Sequence, residues 1–165
     1  MADDPTREGF DGLVAAMDLA LVVVTVASGD ERDGCLVGFH SQTSIHPRRY
    51  TVWLSVENRT YRLAERATHL AVHVLAEVDH AVAERFGGTT GDEVDKLAGQ
   101  AWTPGPNGVP LLDGLPVFVG RIVDRVIAGG GDHVAFVLEP MDALGELAKP
   151  FRLHHAEDID PGHPA

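Results

Sequence analysis

The sequence predicts a mainly β protein: a small closed or nearly closed antiparallel barrel of six strands, with short helices inserted between them. Two observations carry this expectation. Six segments rich in Val, Leu, Ile, Thr and Ala read as strands, without the regular strand–helix alternation of a parallel sheet. Two pairs of them are joined by turn-forming stretches, SGDERDG at 28–34 and GGGD at 129–132, where glycine accepts positive φ at little cost. A dinucleotide-binding parallel sheet is disfavoured, because no G-x-G-x-x-G follows the first strand.

The elements follow in order. Residues 5–17 read as a short helix, since Phe10, Leu13, Val14 and Met17 make one apolar stripe. Leu19 to Ala27 is a β-branched strand, apolar on both faces and so expected to be covered on both. Cys35 to His40 is its hairpin partner, and SQTSIHP at 41–47 reads as a loop. Tyr50 to Val56 alternates as a half-buried strand does. Thr60 to Ala67 is a short helix with Asn58 as a candidate cap, and His69 to Leu75 alternates again. Asp79 to Phe86 is a helix stopped by Gly87 and Gly88. Residues 89–114, rich in Gly, Pro and Asp, read as a long surface excursion with a helical turn near 93–97. Val117 to Ala128 and His133 to Glu139 form the last hairpin. Residues 1–153 are expected to make one domain, and 154–165 a loose tail.

The 165 residues carry 25 acidic and 13 basic side chains, a net charge of −12. Such a field repels polyanions, so neither a nucleic acid nor an anionic membrane is expected as a partner. The lone Cys35 excludes an intrachain disulfide framework and a Cys-based zinc cluster. The N-terminus is acidic without an apolar signal core, and the longest apolar run, 19–24, is too short to span a bilayer. A cytoplasmic protein is the simplest expectation.

Against that acidic background, residues 48–66 hold Arg48, Arg49, Arg59, Arg62 and Arg66 but only Glu57 and Glu65. Asn58-Arg59-Thr60 lies where a helix should start, and an amide, a guanidinium and a hydroxyl there suit a phosphate. The alternative is that Asn58 or Thr60 merely caps the helix. Ser41, Gln42, Thr43 and Ser44 offer neutral hydrogen bonds from one loop, or simply shape a turn. His133 sits at the mouth of the last hairpin, able to face a bound ring. No metal site is expected: His69 and His73 lack a third ligand at metal spacing, and the His-rich end reads as a polar tail. Cys35 reads as buried and inert. GGTTG at 87–91 lacks the lysine of a P-loop.

Taken together these segments resemble the flavin reductase-like family of FMN-binding split barrels, over roughly residues 10–140. Val22-Val23-Val24-Thr25, Gly34 to Pro47, Leu54-Ser55 with Asn58-Arg59-Thr60, Phe86-Gly87-Gly88 and Gly131-Asp132-His133 fall in the family's order. The resemblance implies a six-stranded Greek-key split barrel that forms a homodimer. Such a barrel would bind FMN or FAD, use NAD(P)H as co-substrate, and supply reduced flavin to a partner monooxygenase or a small acceptor. It further implies that Cys35, Leu36 and Val37 meet the flavin ring through their backbone, with Phe86 and Gly87 beside it. Ser41, Gln42, Thr43 and Ser44 would serve the ribityl chain and phosphate, Asn58, Arg59 and Thr60 the phosphate, and His133 would be the catalytic group near flavin and nicotinamide. The sequence departs from the pattern at Leu36, Gly38, Phe39, His40 and Arg48. Ring-side hydroxyls are thereby missing, and two other readings stay open: a barrel that holds FMN, a deazaflavin or haem without oxidising NAD(P)H, and a flavin-free domain of the same shape.

Overall fold

A computed structural model describes residues 5–127 and 129–163. Its elements are α1 (Pro5–Ala16), β1 (Val22–Ser28), β2 (Glu31–Val37), β3 (His40–Ser44), β4 (Arg49–Ser55), α2 (Arg59–Ala64) and β5 (His69–Val74). There follow α3 (His80–Gly87), β6 (Trp102–Pro104), β7 (Pro110–Leu112), β8 (Val117–Ile127) and β9 (His133–Leu144). Seven strands form one antiparallel sheet in the order β2-β1-β5-β8-β9-β4-β3, and β6 pairs with β7 alone.

The order of the strands dictates the barrel. The two edge strands, β2 and β3, are consecutive in the chain, separated only by Gly38 and Phe39. Laid flat, strand spacings of about 4.8 Å would hold the two edges about 29 Å apart. Three residue steps from Val37 to His40 reach at most about 11 Å. The sheet therefore curls until its edges meet at this link, where the Trp53 N–H donates to Phe39 O at 2.9 Å.

Alternation then sorts the side chains. Val22, Val24 and Val26 point into the barrel with Cys35, Val52, Leu54, Leu70, Phe136 and Leu138, and α2 closes one end with Leu63 and Ala64. Val23 points outward into a second core with Leu21, Leu75, Ala83, Phe86, Leu97, Leu112 and Phe151. β1 is covered on both faces, as its composition predicts, because α3 and the 89–114 segment pack outside it.

Four expectations are corrected. The sheet has a seventh strand, since residues 41–44 pair with β4 rather than forming a loop; Thr43 and Thr51 share a hydroxyl hydrogen bond of 2.9 Å across the pair. The turn 28–34 shrinks to Gly29 (φ +57°) and Asp30, because Ser28 already pairs with Glu31. Its polar residues belong to the ladder, with Asp33 buried under α2, where Thr60 Oγ1 donates to Asp33 Oδ2 at 3.0 Å. Residues 89–114 are not simply a surface excursion: Lys96, Leu97, Val109 and Leu112 are buried, and the Thr25 hydroxyl of β1 donates to Pro110 O at 2.6 Å. The described part of the expected tail, residues 154–163, is laid against the barrel just beyond the fully buried Phe151. Among the described residues no helix is long and apolar enough to cross a membrane.

His73 ties β5 to this outer layer. Its buried Nδ1–H donates to Val23 O at 3.1 Å, and Nε2 accepts from the Leu112 N–H at 2.9 Å. Both ring nitrogens are thus committed with the ring neutral, and a proton on Nε2 would face an N–H donor. Burial pushes its pKa down from 6.5 to about 4. The unfolded chain therefore binds the proton more readily, and stability is full above about pH 6.5 and falls as pH drops toward 4, by roughly 1.4 kcal/mol per pH unit. Urea unfolding midpoints should fall from pH 7 to pH 5 in the wild type and be flatter in His73→Gln. Parallel profiles for the two proteins would remove His73 as the cause.

Candidate functional site

The link that closes the barrel also opens a cleft. Where β2 leaves the sheet at Cys35–Val37 and the chain turns through Gly38 and Phe39, the end of β4 (Trp53–Ser55) lies opposite. β4 pairs with β9 in the register Ser55↔His133, and the Val56 N–H donates to Asp132 O at 3.0 Å. This brings the last hairpin turn beside the turn that starts α2. The inner part of the cleft, ≈240 Å³, is lined by Cys35 to Phe39, Trp53 to Ser55, Asn58, His133 and His163. An outer, largely apolar part of ≈500 Å³ adds Leu21, Gly87, Leu153, Ala156, Ile159 and Pro161. The two parts share Leu36, Gly38, Ser55, His133 and His163 and read as one crevice of ligand size.

Asn58 lies at the inner end. Its side-chain Oδ1 accepts from the Thr60 N–H at 3.1 Å and so caps α2, as sequence reasoning allowed. Its Nδ2 is left to the cleft, where it lies 3.2 Å from His163 Nε2. His133 stands at the mouth with its Nδ1 2.7 Å from Asp132 Oδ1 and its ring centroid 4.9 Å from that of Phe39. That contact lowers the Asp132 pKa from its usual value, chiefly through the hydrogen bond to His133. Cys35 contributes backbone only: its thiol is buried and its pKa is pushed up by burial to about 11.

Cys35, Leu36, Val37, Gly87, Asn58 and His133 therefore lie together as the sequence suggested. The remaining candidates do not line the crevice. Ser41, Gln42, Thr43 and Ser44 run along the edge strand β3 and spend their hydrogen bonds on Gln42 O, Ser44 O and Thr51. Phe86 is buried in the outer core, where its ring packs so closely on Gly34 that a Cβ there would come within 2.9 Å of it. Thr60 is fully buried on Asp33. Arg59 turns away, donating to Arg32 O at 3.0 Å and reaching Glu31 Oε1 at 3.4 Å. It lines a separate groove of ≈690 Å³ with Asp30, Glu31, Asp33, Asp92, Glu93 and Asp95, a poor place for an anion.

The free positive nook suggested by residues 48–66 is corrected in the same way. Arg62 pairs with Asp92 at 2.6 Å, Arg66 with Glu31 at 3.0 Å, and Arg59 with the same glutamate. Acids from β2 and from the 89–114 segment, distant in sequence, meet the arginines. Beneath them the buried Lys96 ammonium donates to Gly34 O at 2.8 Å and to Phe86 O at 3.4 Å. It pins β2 to α3 just below the crevice floor.

Sequence reasoning missed Phe39, Trp53 and the wall made by Ile159, Pro161 and His163. The Gly38-Phe39 pair carried a usable signal, as an apolar aromatic next to glycine at a strand end. Nothing local marked the C-terminal wall, which burial of Phe151 and the Leu153–Leu19 and Gly162–Gly87 backbone bonds hold in place.

A barrel whose edge strands meet at a ligand-sized crevice, with an amide at its inner end and a Gly-Asp-His hairpin at its mouth, is a split barrel with a candidate ligand site. The chain belongs to the flavin reductase-like family: the family model described as "Flavin reductase like domain" matches residues 15–159. It is 33% identical over 139 residues to the reductase subunit HsaB of a flavin-dependent monooxygenase from Rhodococcus jostii (strain RHA1), covering 82% of this chain and 67% of that one. A ferric-chelate reductase (NAD(P)H) from Archaeoglobus fulgidus is 29% identical over 126 residues, 74% of this chain and 73% of that one. Among solved structures, the NADH:FAD oxidoreductase SgcE6 of Streptomyces globisporus C-1027 superposes with a TM-score of 0.75 at 22% identity, over 87% of this chain and 86% of that one.

Proposed function

We propose that this protein is an NAD(P)H-dependent flavin reductase of the cytoplasm that delivers reduced flavin to a partner monooxygenase. The observation that supports it best is the crevice: a slot with apolar walls, ending at a side-chain amide that donates and opening at a histidine. A flavin fits these residues. Leu36 and Phe39 offer apolar faces to a flat ring, the backbone of Cys35–Val37 runs beside it, and Asn58 Nδ2 offers a donor to the terminal phosphate. The phosphate role thus falls to Asn58 rather than to Arg59 or Thr60, whose side chains are committed elsewhere. When bound, flavin supplies the two-electron chemistry itself, taking electrons from the nicotinamide and passing them on.

The chain's own residues bind and orient. Phe39 and Trp53 line the inner cleft and offer it aromatic surface. Asp132 holds the His133 imidazole by Nδ1 and directs Nε2 away from that carboxylate. His133 thereby becomes the group that meets the nicotinamide or steadies charge on the ring. No side chain has to act as a nucleophile, and the buried Cys35 thiol stays protonated near neutral pH.

The test is an NADH and NADPH oxidation assay with added FMN or FAD on a sample whose flavin affinity has been titrated. Turnover that requires added flavin supports the reading. A protein that binds flavin but leaves NAD(P)H unoxidised identifies a binding module instead. Two relatives are named as reductase subunits, HsaB and Stc3 of Rhizobium meliloti, and these motivate the monooxygenase partner.

We also propose a homodimer. Phe10, Leu13 and Met17 are 65, 71 and 61% exposed, so the apolar stripe of α1 has no core of its own to cover. Ile127, Met141 and Leu144 on the long hairpin are exposed as well. A second copy would bury both surfaces. Sedimentation should give a dimer in the wild type and a smaller species for Leu13→Asp; a monomeric wild type would end this part of the reading.

A further inference from the structure

We propose that the C-terminal segment is a built-in competitor for the flavin site: its tip, residues 157–163, closes over the crevice, and His163 holds the Asn58 amide until a flavin phosphate replaces it. This rests on the flavin reading given above. The segment is rooted in the outer core, and its His163 reaches the crevice. At the root the Leu21 N–H donates to Phe151 O at 2.8 Å, the Phe151 N–H to Leu75 O at 2.7 Å, and Leu153 N–H to Leu19 O at 3.0 Å. Beyond Ala156 the contacts with the body of the protein include Ile159 packed on the outer core, Gly162 set close against Thr89 with its N–H donating to Gly87 O at 3.0 Å, the exposed His80–Asp158 pair at 2.8 Å, and the His163–Asn58 contact. Exchange of the His163 ring for a phosphate oxygen therefore needs neither Phe151 nor the Ile159 and Pro161 wall to move.

The hydrogen-bond roles say what His163 stands in for. Asn58 Oδ1 already accepts from Thr60 N–H, so Nδ2 donates and His163 Nε2, 3.2 Å away, accepts. An accepting ring nitrogen occupies the position where a phosphate oxygen would accept. A flavin without the phosphate needs the apolar walls but not the amide. The consequence is a flavin that exchanges as a substrate instead of staying as a tightly held prosthetic group.

The experiment titrates FMN and riboflavin, which lacks the phosphate, into the wild type and His163→Ala. The expected result is FMN binding roughly fivefold tighter in His163→Ala, the effect of one lost competing hydrogen bond, with riboflavin unchanged. FMN affinity that is unchanged or weaker in His163→Ala overturns the proposal, the weaker case making His163 a ligand of the phosphate. A second readout is the ring nitrogen NMR signal of His163 in the wild type. It should shift when FMN saturates the protein, and a signal unmoved at saturation also overturns the proposal. Absence of any flavin binding by either protein would instead bring down the flavin reading, and this inference with it.

Discussion

Asn58→Asp is expected to weaken FMN binding roughly 100-fold while leaving riboflavin binding nearly intact. The substitution keeps an oxygen where Asn58 Oδ1 caps α2, so helix stability should change by less than about 0.5 kcal/mol. It replaces the Nδ2 donor by a second, anionic oxygen at the inner end of the crevice. A lost hydrogen bond to a charged group costs about 1.5–3 kcal/mol, and the added repulsion acts in the same direction. Parallel titrations of FMN and riboflavin separate this from general damage, because only the ligand with the phosphate should suffer. Equal losses for both would move the phosphate away from Asn58. Arg59→Ala, the substitution that the sequence alone would select, should change FMN affinity little, because its guanidinium is already held by Arg32 O and Glu31.

Phe151→Ala should lower stability by about 4 kcal/mol, a fall of about 10 °C in Tm for a chain of this size. Phe151 is fully buried among Leu21, Leu75, Ala83 and Phe86, and its backbone bridges Leu21 and Leu75. Truncation leaves a cavity between β1, β5 and α3 that these short elements cannot readily collapse into. Thermal and urea unfolding of the two proteins check this, and a loss under 1 kcal/mol would mean that the C-terminal segment is not part of the core. The same residue roots the tip that carries His163, so the stability of the outer core and control of the crevice meet at one side chain.

Much of this was legible from local pattern. The β-branched run 22–26 had to be a strand covered on both sides, and it lies between the barrel interior and the outer core. The Gly-Asp-His turn and the Asn58 cap were readable because caps and tight turns depend on residues within a few positions of each other. The same reasoning over-read residues 41–44, whose polar character signalled a loop although they make an edge strand facing solvent. It over-read the arginines too. Charge counted along the chain says nothing about partners such as Glu31 and Asp92, which only folding brings within 4 Å.

The sequence by itself determined six of the strands, the β class and the residues at the crevice ends, because periodicity, turn chemistry and capping act between near neighbours. Only the tertiary structure decided that the edges of the sheet meet at Gly38-Phe39, that Arg59, Arg62 and Arg66 are paired with acids, and that Ile159, Pro161 and His163 wall the crevice. Each of these depends on contacts between segments far apart in the chain, where closure of the backbone and burial of Phe151, not local preference, set the geometry.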